Sequence, residues 1–221
     1  MRLSANNQHY LEFLRDIYEV SLACETVTYI WGGFTLDIVE GRFLREHHDL
    51  DGFTLNLLEV LPDMTARYES CGYKVEFNED FDILGISRGG LHAAFNRLET
   101  DGAMMMWRHI GNEGTVYVPA YWLDDTPRGF YGTPVYTAGI QLDYVLKTNV
   151  RLIHAEWALR EKDHATIRHL ERVMERENLD PEVFLTEVWS YNPFWAKRGY
   201  PEYAMPIMAR LLHRQENGRD G

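Results

Sequence analysis

The spacing of hydrophobic positions changes along the chain, from a helical period to short strand-like runs and back. Near the start, apolar residues recur every three or four positions and then give way to compact β-branched and aromatic runs. This pattern predicts a helix over residues 8–23, a strand over 27–31, a short helix over 34–40, a strand over 49–54 and a helix over 55–71. The first third of the chain is therefore expected to be an α-β-α-β-α unit.

The middle of the chain predicts short strands, because alternating runs are separated by turn signals such as Gly89-Gly90 and Asp101-Gly102. The predicted strands cover residues 73–77, 83–88, 91–98, 104–109 and 115–121. Residues 124–134 are rich in Asp, Pro and Gly, which is typical of a linker.

The rest of the chain returns to helical spacing. Helices are predicted over residues 140–149, 150–160, 164–178 and 203–214. Asp180-Pro181 is a further helix start signal, with Asp as the N-cap and Pro in the first turn. We therefore predict two domains, an α/β domain over residues 1–128 and a helical domain over residues 129–221.

Charge and cysteine content narrow the choice of partners. The chain has 221 residues and a formal net charge of −12, so a sequence-independent grip on nucleic acid or on an anionic membrane is disfavoured. A triphosphate still suits such a protein if magnesium supplies positive charge, and so does a cationic acceptor. The two cysteines, Cys24 and Cys71, form no CxxC motif, so neither a zinc site nor a disulfide framework is indicated.

The N-terminal segment and the apolar runs predict where the protein works. The first eight residues are polar, and no apolar run approaches the ~20 residues that a membrane span needs. We therefore expect a cytoplasmic protein that does not bind membranes.

Two acidic residues stand two positions apart in the predicted strand that follows a glycine turn. Residues with this spacing point to the same face of a strand, so Asp49 and Asp51 would project together while Leu50 enters the core. Neighbouring carboxylates repel unless a cation lies between them, and Mg²⁺ prefers such oxygen ligands. The Gly32-Gly33 turn offers backbone N–H groups to phosphate at the start of a helix. The segment therefore predicts a site for a nucleoside triphosphate and its Mg²⁺.

The same segment resembles the small antibiotic nucleotidyltransferases, the lincosamide and aminoglycoside 2''-adenylyltransferase-like group of the polymerase-β superfamily. The resemblance rests on Gly32-Gly33-Phe34, on Asp37 and on the run Arg45-Glu46-His47-His48-Asp49-Leu50-Asp51. Cys71-Gly72-Tyr73-Lys74-Val75-Glu76-Phe77 is similar to the family's Gly-Tyr-Lys strand, and Gly89-Gly90-Leu91 through Asp101-Gly102 is similar to its next hairpin. The similarity covers residues 10–170 and is strongest over 29–51.

The resemblance implies an α+β fold of the nucleotidyltransferase type, with a mixed sheet, flanking helices and a C-terminal helical domain. It implies Mg²⁺-dependent transfer of a nucleoside monophosphate, AMP from ATP, to a hydroxyl of a small molecule. Asp49 and Asp51 would be the metal ligands. The family's third acidic position falls on His92, which becomes the candidate general base because histidine accepts a proton near neutral pH. Other acids fill this position if the register differs, namely Asp80, Asp82 and Glu99.

Five residues are candidates for binding the nucleotide, namely Gly32, Gly33, Asp37, Arg45 and Lys147. Asp37 could orient the Gly32-Gly33 turn or contact the substrate. Each candidate has a structural alternative: a plain strand–helix connection for the glycines, a surface residue that caps or pairs locally for Asp37, and solvated side chains for Arg45 and Lys147. The His47-His48-Asp49 run is also similar to the His-Asp dyad of phosphohydrolases. The strand predicted directly after it opposes that interpretation, because the dyad lies on a helix.

Other functions stay open beside the preferred one, in which the partners are a nucleoside triphosphate and a small-molecule acceptor. Since His92 replaces a carboxylate, the fold can be a catalytically inactive module that binds a nucleotide or a protein. Transfer to a macromolecule is a third hypothesis, although the charge of −12 opposes a nucleic-acid acceptor. An aromatic cluster in the last part of the chain is a pocket lining, a core or a homodimer contact: Trp189, Tyr191, Phe194, Trp195, Tyr200 and Tyr203.

Overall fold

The computed structural model describes residues 3–100, 104–109, 114–148, 158–180, 189–191 and 205–206. The chain forms two compact units. Unit 1 consists of Met1–Thr100 and Leu123–Gly139, and unit 2 of Asp101–Trp122 and Ile140–Gly221. The predicted division into domains 1–128 and 129–221 stays a prediction.

Helices and strands alternate first and segregate later. The described helices are α1 (Ala5–Ala23), α2 (Gly33–Val39), α3 (Leu57–Ser70), α4 (Ile140–Thr148) and α5 (Glu161–Arg176). The described strands are β1 (Thr28–Trp31), β2 (Leu50–Leu55), β3 (Lys74–Asn78), β4 (Ile83–Arg88), β5 (Leu91–Thr100), β6 (Met104–His109), β7 (Gly114–Pro119), β8 (Arg128–Phe130), β9 (Thr133–Thr137), β10 (Trp189–Tyr191) and β11 (Met205–Pro206).

The sheet of unit 1 is mixed. Its described strands lie in the order β3-β4-β5-β2-β1-β9-β8. The β5–β2 and β1–β9 pairs are parallel, and the remaining pairs are antiparallel. A mixed sheet with flanking helices confirms the predicted α+β class.

The core of unit 1 lies between α1, α3 and one face of the sheet. Helix α1 begins earlier than predicted because Oγ of Ser4 accepts a hydrogen bond from the backbone N–H of Asn7 at 3.2 Å, which caps the helix. The ring of Phe13 lies 5.0 Å from that of Tyr73 and 6.2 Å from that of Phe95. These fully or almost fully buried aromatic side chains fix α1 against β5, which lies beside β2.

The segment predicted to be a linker is part of the sheet. Strands β8 and β9 form a hairpin within it, and β9 pairs with β1 through Tyr29–Tyr136 and Ile30–Thr137. The linker prediction was wrong because Pro and Gly were given more weight than the alternation in β9, where Thr133, Val135 and Thr137 are buried.

Unit 2 contains strands as well as helices. Strands β6 and β7 form an antiparallel hairpin, β10 pairs with β7, and β11 pairs with β10. The helix predicted over residues 203–214 is wrong at Met205–Pro206, which forms β11, and its remainder lies outside the described residues. Residues 150–157, Pro181 and four members of the aromatic cluster, Phe194, Trp195, Tyr200 and Tyr203, also lie outside them.

Within the described ranges, no helix combines the length and the apolar composition that crossing a membrane requires.

Candidate active site

Strand β1 ends in a tight turn that favours glycine. Gly32 directly follows Trp31 and has φ 80° and ψ −143°, a backbone conformation in which a side chain is strained. Helix α2 begins at Gly33, and the backbone N–H of Thr35 donates to the carbonyl oxygen of Gly32 at 3.2 Å. The chain therefore forms a strand, a glycine turn and a short helix in this order.

The carboxylate of Asp51 lies beside this turn. Asp51 is the Cα partner of Trp31 in the antiparallel β1–β2 pair. A Cβ built on Gly32 would stand 3.4 Å from Oδ2 of Asp51, which is ordinary contact distance. Leu50 is fully buried in the core, whereas Asp51 is half-buried. The glycine turn and this carboxylate are therefore direct neighbours.

Asp49 directly precedes β2 and is exposed, and its charge reaches the same buried phenol as that of Asp51. Burial raises the pKa of Tyr10, and the negative charges of Asp49 and Asp51 raise it further. Because β2 and β5 are parallel and Leu50 pairs with Ala93, His92 lies at the same end of the sheet as Asp49 and Asp51.

Strand β5 lies parallel to β2 and brings His92 close to the acid pair. Leu50 pairs with Ala93 and Asp51 with Ala94. Because side chains alternate along a strand, His92 and Ala94 emerge on the same face as Asp51. His92 is exposed. The residue directly across from Asp51 is therefore a small alanine, and the nearest titratable side chain on this face of β5 is His92.

The other candidates for the third acidic position, Asp80, Asp82 and Glu99, bind partners away from Asp51. Arg97 binds Glu99, and its Nη1 donates to Oδ2 of Asp82 at 3.3 Å. Arg97 pairs with Thr54, further along β2 from Asp51. Asp80 is exposed in the turn between β3 and β4, where its backbone N–H donates to Asn78. None of these three acids therefore occupies the position on β5 across from Asp51, where Ala94 lies.

Arg45 lies against the second glycine of the turn. A Cβ built on Gly33 would collide with Nη2 of Arg45 and stand 3.4 Å from its Cζ. Arg45 is exposed, and its Nη1 donates to the carbonyl oxygen of Glu46 at 3.1 Å. The missing side chain of Gly33 therefore leaves room for a guanidinium directly at the turn.

Asp37 is buried rather than open to a ligand. Its Oδ2 lies 2.8 Å from Nε2 of His47, and both side chains are 1% exposed. No partner of Asp37 was predicted from the sequence, where His47 belongs to the run Arg45-Glu46-His47-His48-Asp49 and to the phosphohydrolase alternative. Asp37 is flanked in α2 by the apolar residues Leu36 and Ile38, but these neighbours do not identify His47 as its partner.

Lys147 belongs to unit 2, where it binds an acid. Its Nζ donates to Oδ1 of Asp163 at 3.3 Å, and Asp163 also accepts from Nε of Arg160 at 2.8 Å. A role of Lys147 at the nucleotide stays a prediction.

The oxygen ligands at the turn suit a metal that arrives with phosphate. In the part of the chain that the structure describes, no three His, Cys, Asp or Glu side chains form a metal-binding group. Asp49 and Asp51 offer two carboxylates, and Mg²⁺ is commonly bound by one or two carboxylates together with substrate phosphates. This donor set fits a magnesium–triphosphate complex better than an ion held by the protein alone.

No family model and no curated protein matches the sequence. Solved structures share its fold. The solution structure of the antibiotic-resistance factor ANT(2'')-Ia aligns with a TM-score of 0.62 and 16% identity over 95% of this chain and 98% of that chain. A crystal structure of ANT(2'')-Ia in complex with adenylyl-2''-tobramycin aligns with a TM-score of 0.58 and 18% identity over 80% and 94% of the two chains.

A third solved structure belongs to another antibiotic adenylyltransferase. The lincomycin-bound lincosamide adenylyltransferase LnuA aligns with a TM-score of 0.53 and 16% identity over 77% of this chain and 98% of that chain. The alignments extend over nearly the whole length of each of these proteins. The chain therefore has the nucleotidyltransferase fold of the antibiotic adenylyltransferases, as its resemblance predicted.

Proposed function

We propose that the protein transfers a nucleoside monophosphate, AMP from ATP, to a hydroxyl of a small molecule and releases pyrophosphate. The observation that carries this proposal is the close approach of the carboxylate of Asp51 to Gly32, where a Cβ would stand 3.4 Å from Oδ2. It brings a metal-binding oxygen beside backbone N–H groups that are free of Cβ obstruction. A triphosphate needs both kinds of neighbour, because its charge must be offset while its position is fixed.

Different residues at the turn would bind the phosphates and the metal ion. The backbone N–H groups at Gly32 and Gly33 bind phosphate oxygens, and Arg45 adds a charged donor from its place over Gly33. Asp49 and Asp51 hold Mg²⁺ together with the triphosphate, and the ion supplies positive charge at the phosphates. The net charge of −12 suits a cationic acceptor.

His92 is the proposed general base. The acceptor's hydroxyl oxygen attacks the α-phosphorus, the bond from this phosphorus to the oxygen that bridges to the β-phosphorus breaks, and pyrophosphate leaves with that oxygen. His92 takes the proton of the attacking hydroxyl. Its exposure and its place on the same face as Asp51 support this role.

A second candidate function is binding without catalysis. Ala94 lies across from Asp51, and His92 does not carry the charge of a carboxylate. A protein that kept the triphosphate site but lost the base would bind MgATP without transferring AMP. This candidate predicts nucleotide binding and no release of pyrophosphate.

One experiment separates these functions. Labelled ATP, Mg²⁺ and a panel of aminoglycosides and lincosamides are incubated with the protein and with Asp51→Asn, and pyrophosphate release and MgATP binding are measured. Asp80→Asn is the matched control, because Asp80 is an exposed acid in a turn of the same unit. Release that only Asp51→Asn abolishes supports the transferase. Binding without release supports the inactive module, and absence of both contradicts the nucleotide site.

A further inference from the structure

A hydrogen-bonded pair of titratable side chains is buried behind the glycine turn. Nε2 of His47 lies 2.8 Å from Oδ2 of Asp37, and each side chain is 1% exposed. Polar groups this deeply buried destabilise a protein unless they bond to each other. The pair therefore has one favourable geometry, and the two elements that carry it are fixed by it.

His47 is also packed on the turn itself. Its ring stacks on Phe34 with centroids 3.9 Å apart and an interplanar angle of 29°. Its Cε1 would stand 3.4 Å from a Cβ on Gly33. Its backbone carbonyl accepts a hydrogen bond from Nδ2 of Asn6 at 2.7 Å. Contacts from α1 and from the first turn of α2 thus hold this residue.

The pair connects the two halves of the proposed site. Asp37 lies on α2, which begins at the glycine turn, whereas His47 precedes Asp49 by two residues. Two residues of chain span at most about 7 Å. A shift of His47 relative to α2 is therefore passed on to Asp49 and to the start of β2.

We propose that Asp37 and His47 are positioning residues that set the distance between the glycine turn and the two metal-binding carboxylates. Asp37 acts through His47 and does not touch the nucleotide, unlike the nucleotide-binding role predicted for it from the sequence. This inference rests on the proposed function, because it assigns the pair to the site that binds the triphosphate. The buried carboxylate of Asp37 and its bond to His47 support it.

The test uses the full-length protein and two readouts. Amide hydrogen exchange over residues 44–49 is measured without nucleotide, and the Kd for MgATP is measured separately. Asp37→Ala removes the acceptor of the hydrogen bond, whereas Asp37→Asn keeps an oxygen that accepts from Nε2 of His47. Thr54→Val is the matched control, because it breaks a buried hydroxyl pair with Thr28, 3.0 Å apart, at the other end of β2.

We expect Asp37→Ala to speed amide exchange over residues 44–49 by about tenfold or more. A tenfold change means that the free energy of local opening falls by about 1.4 kcal/mol. It should weaken MgATP binding, while Asp37→Asn stays within about threefold of the wild type in both readouts, since the hydrogen bond remains. Thr54→Val should lower the melting temperature without changing either readout.

If Asp37→Ala does not fold, Asp37→Ser, whose shorter side chain no longer reaches Nε2 of His47, should loosen the same loop. Unchanged exchange over 44–49 in either variant overturns the inference. So does an Asp37→Asn that binds MgATP as poorly as Asp37→Ala, because the carboxylate would then act directly. If the wild type binds no MgATP, the proposed function fails, and the exchange measurement still decides whether the pair positions the loop.

Discussion

Units 1 and 2 surround their acidic side chains in different ways. In unit 2, the buried carboxylate of Asp163 accepts hydrogen bonds from Arg160 and Lys147. In unit 1, Asp49 directly precedes β2, Asp51 is the second residue of β2, and the carboxylate of Asp51 lies beside Gly32. The first arrangement pairs a carboxylate with cations of its own chain, whereas the second places two acidic residues two positions apart beside a glycine turn.

Under the proposed function, the first arrangement stabilises the fold and the second serves a ligand. Arg97 binds both Asp82 and Glu99 and shows that unit 1 also pairs acids with its own cations where they serve structure. Two adjacent carboxylates repel each other in the free protein, and a divalent cation relieves that repulsion. We therefore expect substitutions in the two units to separate stability from activity.

The largest effect is expected from Asp49→Asn, which keeps the shape and removes one charge of the acid pair. Pyrophosphate release should fall by about 10²–10³-fold, the scale of losing one group that stabilises charge in the transition state. The melting temperature of the metal-free protein should stay the same or rise, because one source of repulsion is gone. Calorimetry beside the release assay checks both. A lower melting temperature with normal release would make Asp49 a structural acid like Asp163.

The next largest effect concerns the strand beside the acid pair. His92→Ala should lower pyrophosphate release by about 10²-fold, the low end for loss of a general base, with little change in MgATP affinity. Ser87→Ala is the control, since Ser87 is the partner of His92 on β4. His92→Asp should release pyrophosphate faster than His92→Ala, because it restores a proton acceptor. Full activity of His92→Ala would show that the base lies elsewhere.

A smaller effect is expected at the turn, where Gly33→Ala places a methyl group against the guanidinium of Arg45. Arg45 is exposed and flexible, so it should move aside without loss of stability, and the Kd for MgATP should rise about tenfold, as for a lost charge-assisted contact. Adding Gly33→Ala to Arg45→Ala should cause little further loss. If the two changes add fully, Gly33 acts on the nucleotide independently of Arg45.

The sequence predicts the elements around the turn because their signals are local. The run that ends at Trp31, the Gly32-Gly33 pair and the Asp-x-Asp strand each depend on a few adjacent residues, and the observed bounds of β1, α2 and β2 differ from the predicted ones by at most one residue. Strand β9 was missed because its partner β1 is distant in sequence, and only the fold supplies that neighbour.

The pairing of side chains could be predicted less well than the elements. Asp37 and His47 meet across a loop, and nothing in their spacing indicates that both become buried. The partner of Lys147 could not be predicted either, because Asp163 belongs to the next described helix. Alternation does predict which face carries Asp51 and His92, but the neighbour across from Asp51 depends on the β2–β5 register. Residue types therefore predict the candidate acids, and the fold decides which partners they meet.

The smallest effect is expected for Asp163→Asn in unit 2. Burial by itself would raise the pKa of Asp163, but the hydrogen bonds from Arg160 and the charge of Lys147 outweigh it and hold this pKa well below its usual range. Asp163 also accepts from the backbone N–H of Arg160 at 3.0 Å. Asn keeps one accepting oxygen but loses the charge that Arg160 and Lys147 bind, so the free energy of unfolding should fall by about 1 kcal/mol.

The sign of its pH dependence follows from the lowered pKa. The stabilisation by Asp163 is complete above the usual carboxylate pKa of about 4 and is lost as the pH falls below it. The free energy of unfolding, measured with urea at about pH 7 and at about pH 3, should therefore fall more for the wild type than for Asp163→Asn. Glu161→Gln, at an exposed acid in the same helical turn, should keep the wild-type dependence. If both variants respond alike, the cations around Asp163 do not stabilise unit 2, and the contrast with Asp49 and Asp51 would rest on activity alone.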